Sequence, residues 1–155
     1  MTITYEDVYK VALPLITDFD PLELSEADLA EMLAGWLYYA KSLPSVKSLF
    51  TKFITDETLT TIEFELKNSI NDESDKDTVT LILALGMKIA WYQPQVNSIL
   101  NTSQMFGGKE EKFYSQANHI NAVSGVLFKD AKKELRNAIR DHKYFNGTYV
   151  GGGVK

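Results

Sequence analysis

Residues 84–120 read ALGMKIAWYQPQVNSILNTSQMFGGKEEKFYSQANHI, and residues 139–149 read IRDHKYFNGTY. The first stretch decides the fold. Beginning at Asp77, the residues Val79, Leu81, Ile82, Leu83, Leu85, Met87, Ile89, Ala90 and Trp91 are apolar on most of a helix circumference. A helix of that kind sits at the centre of a domain, with neighbours on several sides. Pro94 removes one backbone donor and predicts a bend near Trp91, after which Val96, Ile99 and Leu100 continue a second segment. A Met105-Phe106-Gly107-Gly108 turn ends the unit. Lys109 to Lys143 then reads as the longest helix, roughly 35 residues or about 50 Å at ~1.5 Å each.

Plotted at roughly 100° per residue, that last helix separates into stripes. Phe113, Ala117, Ile120, Leu127, Ala131, Leu135 and Ala138 share one narrow apolar line, flanked by Val123, Phe128 and Ile139. The opposite side carries Lys129, Lys132, Lys133, Arg136, Arg140 and Lys143, and one flank between the two carries Asp130, Glu134 and Asp141. The ordinary reading is an amphipathic helix with a mixed solvated face. A sharper one is that the acidic flank of one copy faces the basic flank of the next around a closed ring. Head-to-tail contacts need two different complementary surfaces, and this helix offers both. Contact of the basic stripe with nucleic acid is a third reading, weakened by the acidic total of the chain.

Working outward, Thr4 is a helix N-cap with Glu6 and Asp7 in the first turn, where the helix dipole favours anions. Val8, Val11, Ala12, Leu15 and Ile16 follow at helical spacing, and Pro14 kinks or ends that helix. Asp18 to Glu23 reads as a loop. Ser25 caps a second helix, with Asp28 in the capping-box position and Leu29, Leu33, Trp36, Leu37 and Ala40 inward. It stops before Pro44, and a short third helix is expected over roughly Ser45–Phe53. In TTIEFEL, Ile62, Phe64 and Leu66 alternate with Glu63, Glu65 and Lys67; this favours a half-buried strand over the competing helix and calls for a partner strand. Asn71–Asp77 reads as a polar acidic loop without core-forming residues. The fold expected is mainly α, a helical bundle with a long C-terminal helix and at most a short β element. Residues 1–150 form one domain, and 151–155 a flexible Gly-rich tail.

Composition narrows the function classes. The chain has 155 residues, 45% of them apolar, and no cysteine, so disulfides, thiolate catalysis and cysteine metal centres are excluded. No apolar run approaches a membrane span and no signal-peptide core opens the chain, so no membrane association is expected. The net charge of −5 is unevenly spread. Residues 1–108 hold seven Lys against sixteen Asp/Glu, a balance of −9, whereas residues 109–143 hold eight Lys/Arg against five acids, a balance of +3. His119 and His142 are the only histidines and have no partner at metal-ligand spacing. Asp72, Glu73, Asp75 and Asp77 lack the glycine and closing glutamate of a calcium loop. No P-loop, GxGxxG or GxSxG occurs. No catalytic, metal or cofactor residue is therefore assigned. The aromatics Trp36, Tyr38, Tyr39, Trp91 and Tyr92 are expected in the core with their polar edges outward.

Several of these segments also carry a resemblance. Gly86-Met87, Trp91 followed by Pro94-Gln95-Val96, the turn Gly107-Gly108-Lys109-Glu110-Glu111-Lys112-Phe113, Ser115-Gln116-Ala117-Asn118-His119, and Arg140-Asp141 with Tyr144 and Asn146 resemble a family of head-tail connector proteins. These come from the neck of tailed bacteriophages of Gram-positive bacteria, and the resemblance covers about the last half of the chain. It implies an α-helical protomer assembled as a twelve-membered ring beneath the portal protein, touching a further neck or tail protein, with genome DNA passing through without sequence-specific binding. It implies a place in the virion, after synthesis in the bacterial cytoplasm. The residues expected at the ring interface are Asp130, Glu134 and Asp141 against Lys129, Lys133, Arg136 and Arg140. Tyr144, Phe145 and Tyr149 are expected to dock on a neighbouring ring. The alternative from a different class is a phage protein outside the particle, an assembly chaperone or a small DNA-binding regulator.

Overall fold

In the computed structural model, the backbone is described for residues 1–16, 25–105 and 111–145, and side chains for 1–16, 25–97 and 125–143. The elements run β1 (Thr2–Thr4), α1 (Tyr5–Leu15), α2 (Glu26–Ser42), α3 (Pro44–Lys47), β2 (Phe50–Asp56), β3 (Thr61–Leu66), α4 (Asp72–Met105) and α5 (Glu111–Phe145). The chain is mostly helical with a small three-stranded sheet. The expected loop at Asp18–Glu23, the turn at Gly107–Gly108 and the tail at 151–155 lie outside the described residues, as do the side chains of Phe113, Ala117, His119, Ile120 and Val123.

The caps read from sequence are present. Thr4 Oγ1 accepts from the Asp7 amide at 3.1 Å while Asp7 Oδ2 accepts from the Thr4 amide at 2.9 Å, a reciprocal capping box. That bonding holds the Asp7 carboxyl below the usual carboxylate range. Ser25 Oγ accepts from the Asp28 amide at 3.2 Å, and α2 stops at Ser42, two residues before Pro44. Pro14 lies one residue from the end of α1.

The sheet is larger than the single short element expected. Its order is β1-β3-β2, antiparallel throughout. β3 behaves as its alternation demands, with Ile62, Phe64 and Leu66 buried and Glu63 and Glu65 exposed. Its partners were not legible. The helix expected through Phe53 ends at Lys47, and Phe50–Asp56 instead forms the hairpin arm β2. A register irregularity between Phe50 and Lys52 shifts the phase of that arm, so its sequence never shows a clean period of two. Asp56 Oδ1 holds the Thr58 and Leu59 amides at 2.9 Å, and Thr60 takes a positive φ of 51° to close the turn.

Asn71–Asp77 corrects a second expectation. Asn71 Oδ1 accepts from the Ser74 amide at 2.9 Å and caps α4, whose first turn carries the acids Asp72, Glu73 and Asp75 where the dipole favours them. Asp75 is fully buried, accepting from Ser69 Oγ at 2.5 Å and the Ile70 amide at 3.0 Å, and so ties the strand-to-helix connection to the helix. Further along, α4 continues through Pro94, and the Gln95 side-chain amide donates to the Trp91 carbonyl at 3.3 Å.

The core lies around α4, which packs against α1, α2 and α5. Val79, Ile82, Leu83, Ala84, Met87 and Ile89 are buried on its several sides. Gly86 is where α2 comes closest, since a Cβ there would stand 2.6 Å from Ala40 Cβ. The aromatics divide. Tyr92 is buried and Trp91 only half-buried beside it, with ring centroids 4.7 Å apart, whereas Tyr38 is 64% exposed, contrary to its expected place in the core.

Candidate interaction surface

Over Gly125–Lys143, α5 presents the side that sequence angles assign. Ala131, Leu135 and Ile139 are buried against α4, while Leu127, Phe128 and Ala138 are half-buried beside them. Lys129, Lys133, Arg136 and Arg140 are all exposed, as are Asp130, Glu134 and Asp141. At ~100° per residue the four bases fall within roughly 60° of one another, and the three acids form a flank about 110° away. Lys132 and Lys143 sit half-buried on the other flank, and the Lys132 ammonium lies 4.1 Å from the Phe128 ring centroid.

Two of the acids already have neighbours within the chain. Glu134 Oε2 accepts from Lys88 Nζ of α4 at 3.2 Å, and Asp141 Oδ1 stands 3.4 Å from Arg140 on the same turn. The Lys88 side chain is only 15% exposed, so this bridge lies at the seam between the helices and Glu134 is partly engaged inward. Sequence spacing within one helix could not reveal a partner 46 positions away. Asp130 is left as the acid of this flank for which no ion pair is observed among the described residues. For the expected docking residues, α5 carries the backbone of Tyr144 and Phe145 as helix rather than as tail; their side chains, and all of Tyr149, lie outside the described residues.

His142 was missed as an inward residue. It is 7% exposed and follows Ala131, Leu135 and Ile139 at helical spacing, a periodicity that would have placed it in the buried stripe. With Ala138 and Asp141 it forms one wall of a groove of about 550 Å³; Ile70, Ser74, Thr78, Leu81 and Ile82 complete the lining. Ile70 and Leu81 stand 48% and 42% exposed at its margin. A second groove of about 390 Å³ lies between α1, α2 and the β2–β3 turn, lined by residues that include Tyr5, Tyr9, Tyr38 and Lys41. Burial raises the Tyr9 hydroxyl to about 12, and burial also raises that of Tyr5 against an opposing hydrogen bond with Thr55. Both phenols therefore stay protonated at neutral pH.

Among the described residues, no group of three or more His, Asp or Glu is placed to hold a metal ion, and no helix is long and apolar enough to cross a membrane. No family model, curated protein or solved structure matches the chain.

Proposed function

We propose that this chain is a structural protein of a tailed-bacteriophage particle. In this reading it is a head-tail connector whose long C-terminal helix helps to build a ring, of about twelve copies by the family resemblance, between the portal protein and a further neck or tail protein. The observation that carries the reading is the segregation of exposed charge on α5. Its basic row (Lys129, Lys133, Arg136, Arg140) and its acidic flank (Asp130, Glu134, Asp141) face different directions on one rigid element. Two such surfaces are what a head-to-tail contact between identical copies requires. Because Lys88 already engages Glu134 and Arg140 stands beside Asp141, the contact across copies rests most on Asp130. Each exposed pair contributes little, about 0–1 kcal/mol, so the contact gains its strength from repetition around the ring. Genome DNA would pass through without base readout.

Replacing Arg136→Glu and Arg140→Glu together tests this. Both side chains are exposed, so the protomer should fold unchanged, while like charges now oppose the neighbour's acids and assembly into particles fails. Normal incorporation of the reversed protein would refute the charge-complementary ring. Duplex binding that falls steeply with salt, together with normal particles made without this chain, would favour a DNA-binding regulator instead.

A further inference from the structure

The outer side of α5 carries an order that helical amphipathicity does not require. Val126, Lys129, Lys133, Arg136 and Arg140 are all exposed and follow one another at intervals of three and four residues. At ~100° per residue they fall within roughly 80° of one another, in one row about 21 Å long. Each is followed at once by a residue that suits it. Lys129 precedes Asp130, Lys133 precedes Glu134 and Arg140 precedes Asp141. Arg136 precedes the amide Asn137, and Val126, an apolar side chain 58% exposed, precedes the half-buried Leu127. Sequence neighbours point about 100° apart on a helix, so these successors form a second row that looks elsewhere. Arg140 reaches round to Asp141 at 3.4 Å, with both side chains exposed, and Glu134 is engaged by Lys88. No ion pair of Lys129 or Asp130 is observed among the described residues.

A ring turns this order into a contact. Rotation about the ring axis leaves the height of every residue along that axis unchanged. If α5 stands along the axis, each residue of the first row reaches the next copy at the level of its own successor, offset by one helical rise of ~1.5 Å. Base then meets acid three times, Arg136 meets Asn137, and Val126 meets Leu127. We propose that α5 runs along the ring axis, and that the row from Val126 to Arg140 of one copy packs in register against the row from Leu127 to Asp141 of the next. The occupant is a second copy of this chain. The inference rests on the ring reading above and deepens it by fixing the direction of α5 and the register of the contact. In a ring of about twelve copies, successive protomers turn by about 30°, so the same helix in two neighbours cannot run antiparallel. An α5 lying across the axis would set the two rows at different levels and lose the pairing. The rows need not be diametrically opposed, because Lys and Arg carry their charge at the end of long flexible stems. Val126 adds an apolar end to a contact otherwise held by charge.

Exchanging charges within the pairs of the full-length chain tests the register. Lys129→Asp with Arg140→Asp should keep the melting temperature, since both side chains are exposed. Its incorporation into particles should fall roughly tenfold, because each lost pair is repeated around the ring. Adding Asp130→Lys and Asp141→Lys restores the net charge and sets each new acid opposite a new base of the next copy. Incorporation should then return to the level of the unaltered chain. Normal incorporation of the twofold variant overturns the contact, and a fourfold variant as defective as the twofold one overturns the register. As a control, Glu31→Lys and Glu65→Lys, both on exposed side chains of other elements, add the same charge to the twofold variant. Recovery by these lysines would mark an effect of net charge and overturn the register as well. Each of these results leaves the ring reading to be judged by the Arg136/Arg140 reversal, so the two failures are distinguishable. Val126→Asp gives a readout independent of the bases: it should fold and fail to incorporate, and normal incorporation overturns the proposal.

Discussion

α4 and α5 are helices of nearly equal length, 34 and 35 residues, and they do opposite things with their surfaces. Between Val79 and Tyr92, α4 buries residues on almost every side and touches three other helices' worth of core through α1, α2 and α5. Over its described half, α5 buries a single stripe on α4 and leaves Lys129, Lys133, Arg136 and Arg140, with Asp130, Glu134 and Asp141, on its exposed side. The difference separates the helix that makes the fold from the helix that, in the connector reading proposed above, would meet a partner. Substitutions in α4 should unfold the molecule, and substitutions on the outside of α5 should leave it folded and alter only what it binds.

The largest effect expected is at Met87, fully buried at the centre of α4. Met87→Ala should cost about 2–5 kcal/mol through lost burial and an unfilled cavity, read as a lowered midpoint in denaturant. A cost near zero would show that α4 is not the central element. Gly86→Ala comes next and carries a sharper sign. Replacing a helical glycine by alanine ordinarily stabilises by ~1 kcal/mol, but here the new methyl would meet Ala40 Cβ at 2.6 Å and its Cα at 3.0 Å. A net loss of about 1–3 kcal/mol from overpacking is expected, partly recovered by Ala40→Gly in the same chain. Thermal melts of the three variants decide it, and stabilisation by Gly86→Ala alone would show that α2 does not pack this closely.

Asp75→Ala should cost about 1–3 kcal/mol, because the Ser69 hydroxyl and the Ile70 amide lose their acceptor in a part-buried site. The loss should appear as faster amide exchange at Ile70 with the remainder of α4 protected. The smallest effect is at the seam between the two helices. Lys88→Ala removes the bridge to Glu134, and with Glu134 half-exposed the cost should stay below ~1 kcal/mol. A larger loss would mean that α5 depends on this pair for docking, and the contrast between a fold-making and a partner-facing helix would weaken.

How much of this was legible depended on where the physical signal was local. The alternation of Ile62, Phe64 and Leu66 gives a strand by itself, and the caps at Thr4 and Ser25 need only their own third neighbours. The arm Phe50–Asp56 hid because an irregularity in register breaks its period, and β1 hid because three residues are too few to show one. Asn71–Asp77 reads as a loop in sequence, yet it caps and opens α4, because acids that suit a helix N-terminus are also the residues of a solvated turn. Asp75 became a core residue through the chain that returns over it, a tertiary fact. On the candidate surface, the exposure of Lys129, Lys133, Arg136, Arg140 and of the three acids follows from helical angle, whereas the half-burial of Lys132 over Phe128, the Lys88–Glu134 bridge and the groove around His142 depend on how side chains and distant elements meet.

The sheet order has a consequence for how the molecule forms and opens. β2 and β3 are joined by a short turn, so their pairing closes a small loop at little entropic cost. β1 must find β3 across most of the first sixty residues, with Thr4 beside Thr61, and α1, α2 and α3 lie between. The hairpin can therefore nucleate early, while the N-terminal strand completes the sheet only after the helices have collapsed. In hydrogen exchange, the amides that join Thr2–Thr4 to β3 should open first and the β2–β3 ladder last. The amino-terminal end of the sheet is then the molecule's point of least kinetic resistance.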